Sequence, residues 1–230
     1  MASSGGACNG TAMMEASVIQ SEGPPARVVL GDVVLERWRP GDVDPLFTAI
    51  SANIEHLRPW MPWAASHARD AVVQFLADSD AGWHRGERFE YAVRNQTGEV
   101  LGSAGLMDRI GPGGLEIGYW IHAQHTRKGI ATLVAAALSE IGLGLSTVDH
   151  VEIHHDEANI ASSAIPARLG FRHIGTFRVD PKAPSEVGHD VRWRLDAAQF
   201  ATSPARSLLD GARGMAPHPT EPPGLTPRRR

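Results

Sequence analysis

One stretch between residues 115 and 155 constrains the fold more than any other. The strand LEIGYWIH (115–122) runs into the basic, glycine-bearing turn HTRKGIAT (125–132). The turn opens a helix whose apolar residues 130, 133, 134, 137, 138 and 141 follow the helical repeat, before the strand HVEIHH (150–155). Gly142 and Gly144 are expected to end that helix. Upstream, VVLERW (33–38) reads as a strand, and two helical stretches follow, at 42–57 and about 67–84. RFEYAVRN (88–95) and VLGSAGLMDRI (100–110) are strands separated by the turn signal Gln96, Thr97, Gly98, Glu99. Downstream come a short helix from about Asn159 to Leu169 and strands FRHIGTF (171–177) and VRWRL (191–195). The order β, α, α, β, β, β, α, β, α, β, β predicts an α/β fold, with a mixed central sheet of six to seven strands flanked by about four helices.

The flanks differ in composition. Residues 1–26 are rich in Ser, Gly and Ala, and residues 199–230 in Pro, Gly and Arg, so both read as disordered tails around one domain at 27–198. Arg228, Arg229 and Arg230 read as a solvated end. The single cysteine, Cys8, excludes an intramolecular disulfide framework and a cysteine metal cluster, which fits a reducing cytoplasm. No apolar signal region precedes Arg27, and no apolar run is long enough to span a bilayer. A formal net charge of -4 at pH 7 gives no basic field for nucleic acid.

A helix N-terminus offers unpaired N–H groups and the positive end of the macrodipole, so a turn of small residues there suits an anion. Gly129 permits close approach, Ala131 adds little bulk, and Arg127 and Lys128 add charge, with Thr126 or Thr132 offering a hydroxyl. The same residues also suit a plain strand-to-helix turn with surface charges. The P-loop pattern is absent, and the glycines of IGPGG (110–114) precede a strand rather than a dinucleotide-binding helix.

The succession EIGYWIH, R-K-G-I-A-T opening a helix, a strand, then N-x-x-S and a helix ending in L-G-F resembles the GCN5-related N-acetyltransferase (GNAT) superfamily. LRPWMPWA (57–64), EIGYWI (116–121), DEANIASSAIPARLGFRHIGTF (156–177) and GHDVRW (188–193) are similar to its RimJ/RimL-like branch of ribosomal-protein N-terminal acetyltransferases. The resemblance covers roughly residues 28–196 and implies acetyl-CoA as cosubstrate, with no metal. It implies that the pyrophosphate lies on Arg127, Lys128, Gly129, Ile130, Ala131 and Thr132, with Ile121, Asn159 and Ser162 along the rest of the cofactor. Gly129 and Ala131 match the small positions of the family loop. Thr126 stands where Gln or Arg is usual, and Arg127 where Gly is frequent.

Acetyl transfer to an amine needs a deprotonated nucleophile, a polarised carbonyl and a proton for the leaving thiolate. An α-amine titrates near pH 8 and a lysine near 10.4, so the α-amine demands less of a base. With Cys8 alone in the leader, direct attack is favoured over a cysteine acyl-enzyme. Gly118 marks either an opened ladder whose N–H reaches the carbonyl or a packing site beneath a bulky side chain. The resemblance gives Ser162 the thiolate, although Asn159 and Ser162 also suit helix caps. Base candidates are Glu116, His154, His155, His189 and Asp190. Adjacent strand residues face opposite ways, so His154 and His155 cannot share a site; Glu116 lies on the strand beside the proposed cofactor, and the resemblance implies that His189 and Asp190, in the late G-x-H-D segment, border the acceptor pocket. The resemblance also implies that Trp60, Met61 and Trp63 sit at the acceptor side, where an aromatic wall suits a peptide or a flat small molecule. The chain is therefore expected to acetylate a primary amine, a protein N-terminus first and an antibiotic or peptide toxin second. A CoA-binding module without catalysis and a generic phosphate-binding protein are the other readings. The apolar loop is compatible with a homodimer.

Overall fold

The computed structural model describes residues 23–214. Most of the expected N-terminal tail, including Cys8, and the end of the chain from residue 215, including Arg228, Arg229 and Arg230, lie outside the described residues. The strands are β1 (Arg27–Leu30), β2 (Val33–Arg37), β3 (Arg88–Asn95), β4 (Val100–Met107), β5 (Gly114–Ile121), β6 (His150–Asp156), β7 (Arg172–Arg178) and β8 (His189–Asp196). The helices are α1 (Val43–Ser51), α2 (Ile54–Leu57), α3 (Arg69–Arg85), α4 (Ile130–Leu143), α5 (Ile160–Arg168), α6 (Ala197–Phe200) and α7 (Pro204–Gly214). Eight strands form one mixed sheet in the order β1-β2-β3-β4-β5-β6-β8-β7, one more than the six to seven expected. The additional strand is β1, joined to β2 by the two-residue turn Gly31-Asp32 with Gly31 at φ 60.

Every neighbouring pair is antiparallel except β5 and β6, which α4 connects as a crossover. Period-two alternation divides the sheet's side chains. Leu115, Ile117, Val151, Ile153 and Leu195 join Val134 to Leu138 of α4 in one core, and Ala92 and Trp120 join Trp38, Leu46, Ile50, Val72 and Leu76 in another. Fully burying one such aliphatic side chain contributes about 1.5–3 kcal/mol, so the two cores fix the register of the central strands.

Three expectations are corrected. The helical stretch 42–57 breaks into α1 and α2 at the buried Asn53. Gly144 caps α4, but Gly142 lies inside it, where an added Cβ would come within 3.0 Å of Val151 Cγ1; it lets the helix approach the sheet. Residues 204–214, assigned to the C-terminal tail, form α7, whose Ala205 and Leu209 are fully buried in the core shared with α4. Among the described residues, no helix is long and apolar enough to cross a membrane.

Candidate active site

The sheet opens between its two parallel strands. Their last registered pair is Glu116 with Glu152; beyond it β5 continues to Ile121 along β4, and β6 continues to Asp156 along β8. The His122 N–H donates to the Leu101 carbonyl at 2.7 Å, which fixes the alternation of the β4–β5 ladder. Even-numbered residues of β5 therefore bond towards β4, and the N–H groups of Tyr119 and Ile121 face the gap. This corrects the carbonyl-polarising reading of Gly118, whose N–H points into the ladder. An added Cβ there would lie 2.9 Å from Met107 Cε, the far end of a flexible side chain that can move aside, so packing alone does not call for glycine. A cleft of 1170 Å³ runs through the opening and is lined from both sides of the sheet.

On the α4 side, Arg127 (φ 59) and Gly129 (φ 79) both take left-handed backbone, Arg127 being the only non-glycine residue with positive φ among those described. The first helical bond at this end runs from the Leu133 N–H to the Gly129 carbonyl at 3.0 Å. The N–H groups of Ile130, Ala131 and Thr132 thus form the first turn, where no intrahelical acceptor is available. Nothing lies within 4 Å of a Cβ added at Gly129, so backbone conformation rather than crowding calls for glycine. The Thr126 hydroxyl bonds the Ala123 carbonyl at 2.9 Å and serves the turn itself. The Ile121 side chain is in the core, so that residue offers the gap only its backbone.

Asn159 and Ser162 meet where α5 begins. Asn159 Oδ1 accepts the Ser162 N–H at 3.2 Å, the expected cap, and both residues line the cleft. α5 runs through Pro166, which has no N–H to give the Ser162 carbonyl. Opposite Ser162 stands Tyr119, a residue that sequence reading passed over. Its buried hydroxyl makes no well-formed hydrogen bond among the described residues. Burial pushes the phenol pKa up, and proximity to Ser162 offsets only part of that rise.

The other side of the opening is polar and densely charged. Glu116 is held by Arg109, which donates through Nε at 2.7 Å to Oε2 and through Nη2 to Oε1. That bond to Glu116 raises the Arg109 pKa further and keeps the guanidinium charged. Asp190 Oδ2 accepts Arg192 Nε at 2.7 Å. Glu90 pairs with Arg88 at 2.8 Å, yet burial holds its carboxyl above the usual range. His154 Nε2 lies 2.6 Å from Glu152 Oε2, and its Nδ1 lies 3.7 Å from Glu116 and 3.8 Å from Asp190. Among the described residues no such cluster is arranged to hold a metal ion.

His189 is a correction, because it does not share a site with Asp190. Adjacent residues of β8 face opposite sides, and His189 Nδ1 turns to Glu157 at 2.7 Å. His155 likewise faces away and is engaged at both ring nitrogens, by the Asp156 carbonyl at 2.9 Å and Trp193 Nε1 at 3.2 Å. Trp60, Met61 and Trp63 do line the cleft. Their segment is tied to the β7–β8 loop by the Ser185 N–H, which donates to the Pro59 carbonyl at 3.0 Å. Asp156 orders that loop: its Oδ2 accepts the N–H groups of Val187, Gly188 and His189 at 3.1, 2.9 and 3.3 Å. Arg109, Tyr119 and Glu152 were missed by sequence reading. The alternation in VEIHHD, which puts Glu152 and His154 on one face, was the available signal for the last.

Comparison with known proteins agrees with this geometry. Residues 32–172 match the model of the GNAT acetyltransferase domain. Comparison with curated proteins gives no match. Among solved structures, RimJ of Mycobacterium smegmatis in complex with CoA-disulfide superposes with a TM-score of 0.70 at 22% identity, over 84% of this chain and 96% of that one. A Salmonella typhimurium acetyltransferase that modifies the N-terminal serine of ribosomal protein L7/L12 gives 0.63 at 19%, over 72% and 95%. The microcin C7 self-immunity acetyltransferase MccE, in complex with acetyl-CoA and AMP, gives 0.65 at 18%, over 74% and 98%. The chain belongs to the GNAT acetyltransferase family and is an acyl-CoA-dependent N-acetyltransferase.

Proposed function

We propose that this enzyme acetylates the N-terminal α-amine of a protein or peptide in the cytoplasm, the amine attacking the thioester directly. The observation that carries the reading is the through-sheet opening, with an anion-receptive helix start on one side and an acidic, histidine-bearing pocket on the other. The Salmonella typhimurium neighbour that modifies an N-terminal serine supports the choice of acceptor.

The residues fit acetyl-CoA on two counts. The left-handed backbone at Arg127 and Gly129 leaves the α4 N–H groups open to the pyrophosphate, and the orphaned Tyr119 hydroxyl beside Ser162 offers polar hydrogens to the thiol end. When bound, acetyl-CoA supplies an activated acyl group. Arg127 and Lys128 add charge to the phosphate site, and Ile130, Ala131 and Thr132 hold it through backbone N–H groups. The Tyr119 and Ile121 N–H groups face the gap and polarise the carbonyl there. Ser162, with Tyr119 behind it, stabilises the departing thiolate. Across the sheet, Glu116 and Asp190, each paired with an arginine, present carboxylate oxygens to the incoming amine, while Trp60, Met61 and Trp63 line the path of the residues that follow.

A small-molecule amine is the second reading. It is supported by the neighbour MccE, a microcin C7 self-immunity acetyltransferase whose complex holds acetyl-CoA and AMP. Incubation with acetyl-CoA and a panel of peptides with N-terminal Ser, Ala or Met, beside aminoglycosides, polyamines and aminoacyl nucleotide analogues, separates the two by mass spectrometry. Acetyl groups on peptide α-amines are expected. Product only on small amines selects the second reading.

A further inference from the structure

We infer that His154 is the general base of the transfer and that Glu152 is its positioning residue, holding the imidazole in the tautomer that leaves Nδ1 free to take a proton. This rests on the acetyl-transfer reading above. Glu152 and His154 are two residues apart on β6 and share a face. An ionised carboxylate only accepts hydrogen bonds, so at 2.6 Å from Glu152 Oε2 the ring hydrogen belongs to Nε2 and the lone pair to Nδ1. Burial raises the Glu152 pKa, but hydrogen bonds from His154 and Arg194 outweigh it and hold the carboxyl below the usual range. Arg194 donates twice to Oε1, at 2.8 and 2.6 Å, which leaves Oε2 to the histidine.

The Nδ1 side is shaped for an amine. Glu116 Oε2 and Asp190 Oδ2 stand 3.7 and 3.8 Å away, too far to accept a hydrogen bond from a ring N–H at Nδ1, so neither anchors the opposite tautomer. A nitrogen at ordinary hydrogen-bond length of about 2.9 Å from Nδ1 and from either carboxylate fits between them. Arg109 occupies both oxygens of Glu116, and Arg192 binds Asp190. His155 and His189 are excluded by face and by their partners. In the step, the amine nitrogen bonds to the acetyl carbon as the C–S bond breaks with its electron pair on sulfur. One amine proton passes to Nδ1 and then to solvent, and the thiolate takes up one proton, so the products are an amide and a thiol.

The charged groups facing His154 are Glu116 with Arg109, Glu152 with Arg194, and Asp190 with Arg192. Two measurements test the assignment. In the chain without CoA, imidazole nitrogen NMR is expected to show the Nε2–H tautomer of His154 at alkaline pH, and Glu152→Gln to abolish that preference. With an N-terminal-serine peptide as acceptor, His154→Gln is expected to lower kcat about 100-fold or more while leaving CoA affinity intact, and to remove the acid limb of the kcat/KM profile. Glu152→Gln, lacking the anion, moves that limb to lower pH. A His154 carrying its hydrogen on Nδ1, or His154→Gln turning over normally while Glu116→Gln does not, overturns the base assignment alone. Absence of turnover by the parent on every amine overturns the proposed reaction, and the base with it.

Discussion

The side-chain amide of Asn53 joins the helical roof of the acceptor pocket to the turn that leads into the cofactor loop. Its Oδ1 accepts the Ala123 N–H at 2.8 Å, while its Nδ2 donates to the Ala49 carbonyl at 2.8 Å. Asn53 is 2% exposed, so truncation leaves both partners without their bond in a place water reaches poorly. Asn53→Ala is expected to cost about 1–3 kcal/mol in urea unfolding. CoA affinity should fall with it, because residues 123–129 lose their tether; calorimetry on the folded variant reads that second effect.

The loop over the acceptor pocket hangs on one carboxylate, which makes its order pH-dependent. Burial raises the Asp156 pKa, but four backbone hydrogen bonds, from Ala158, Val187, Gly188 and His189, bring it below the usual value. A depressed folded pKa means that the stabilisation is present above the unfolded carboxyl pKa, about 3.9, and is lost as pH falls through the lower folded value. Amide exchange protection at Val187, Gly188 and His189 should therefore drop on acidification below about pH 4. Asp156→Ala should show low protection at neutral pH already, with the gap to the parent closing in acid. A loop equally protected in both proteins at pH 7 would assign its order elsewhere.

The C-terminal helix carries stability through packing more than through charge. Leu209 is fully buried against the α4 core, whereas Arg213, which pairs with Glu140, is 42% exposed in its side chain. Leu209→Ala is expected to cost about 2–5 kcal/mol, and Arg213→Ala under about 1 kcal/mol. Thermal unfolding should separate them clearly, at about 2–4 °C per kcal/mol for a domain of this size. Equal shifts would mean that the Glu140 ion pairs anchor the helix.

α7 also shows where sequence reading stopped short. Its start signal was present: Ser203 accepts the Arg206 N–H at 3.3 Å as a cap, and Pro204 takes the first helical position. Surrounding Pro, Gly and Arg masked it as a tail. The order of the other elements was legible because the apolar periods at 88–107 and 130–141 are strong and local. The cofactor loop was legible because it is contiguous. The acceptor pocket was not, since Glu116, Glu152, His154 and Asp190 come from three strands and meet only through their registers. Face parity alone separates Asp190 from His189, and the strand's phase had to be fixed before parity meant anything.

Gly129 tests the cofactor loop directly, and two substitutions separate conformation from charge. At φ 79, any side chain meets a left-handed cost of roughly 1–2 kcal/mol, which Ala and Asp share in kind. Because nothing lies within 4 Å of the added Cβ, neither variant creates a clash. Gly129→Ala should thus keep measurable CoA binding. Gly129→Asp adds an anion at the helix start, where it takes the place that the N–H groups and macrodipole offer to phosphate. At 4 Å and an effective dielectric of 20, one like-charge pair costs about 4 kcal/mol. Even after solvent screening, the loss should exceed about 100-fold in Kd, or roughly 2.8 kcal/mol. The penalty should shrink in high salt, because it is electrostatic and near the surface. If calorimetry gives equal CoA affinity for the Ala and Asp variants, the pyrophosphate does not sit on this helix start.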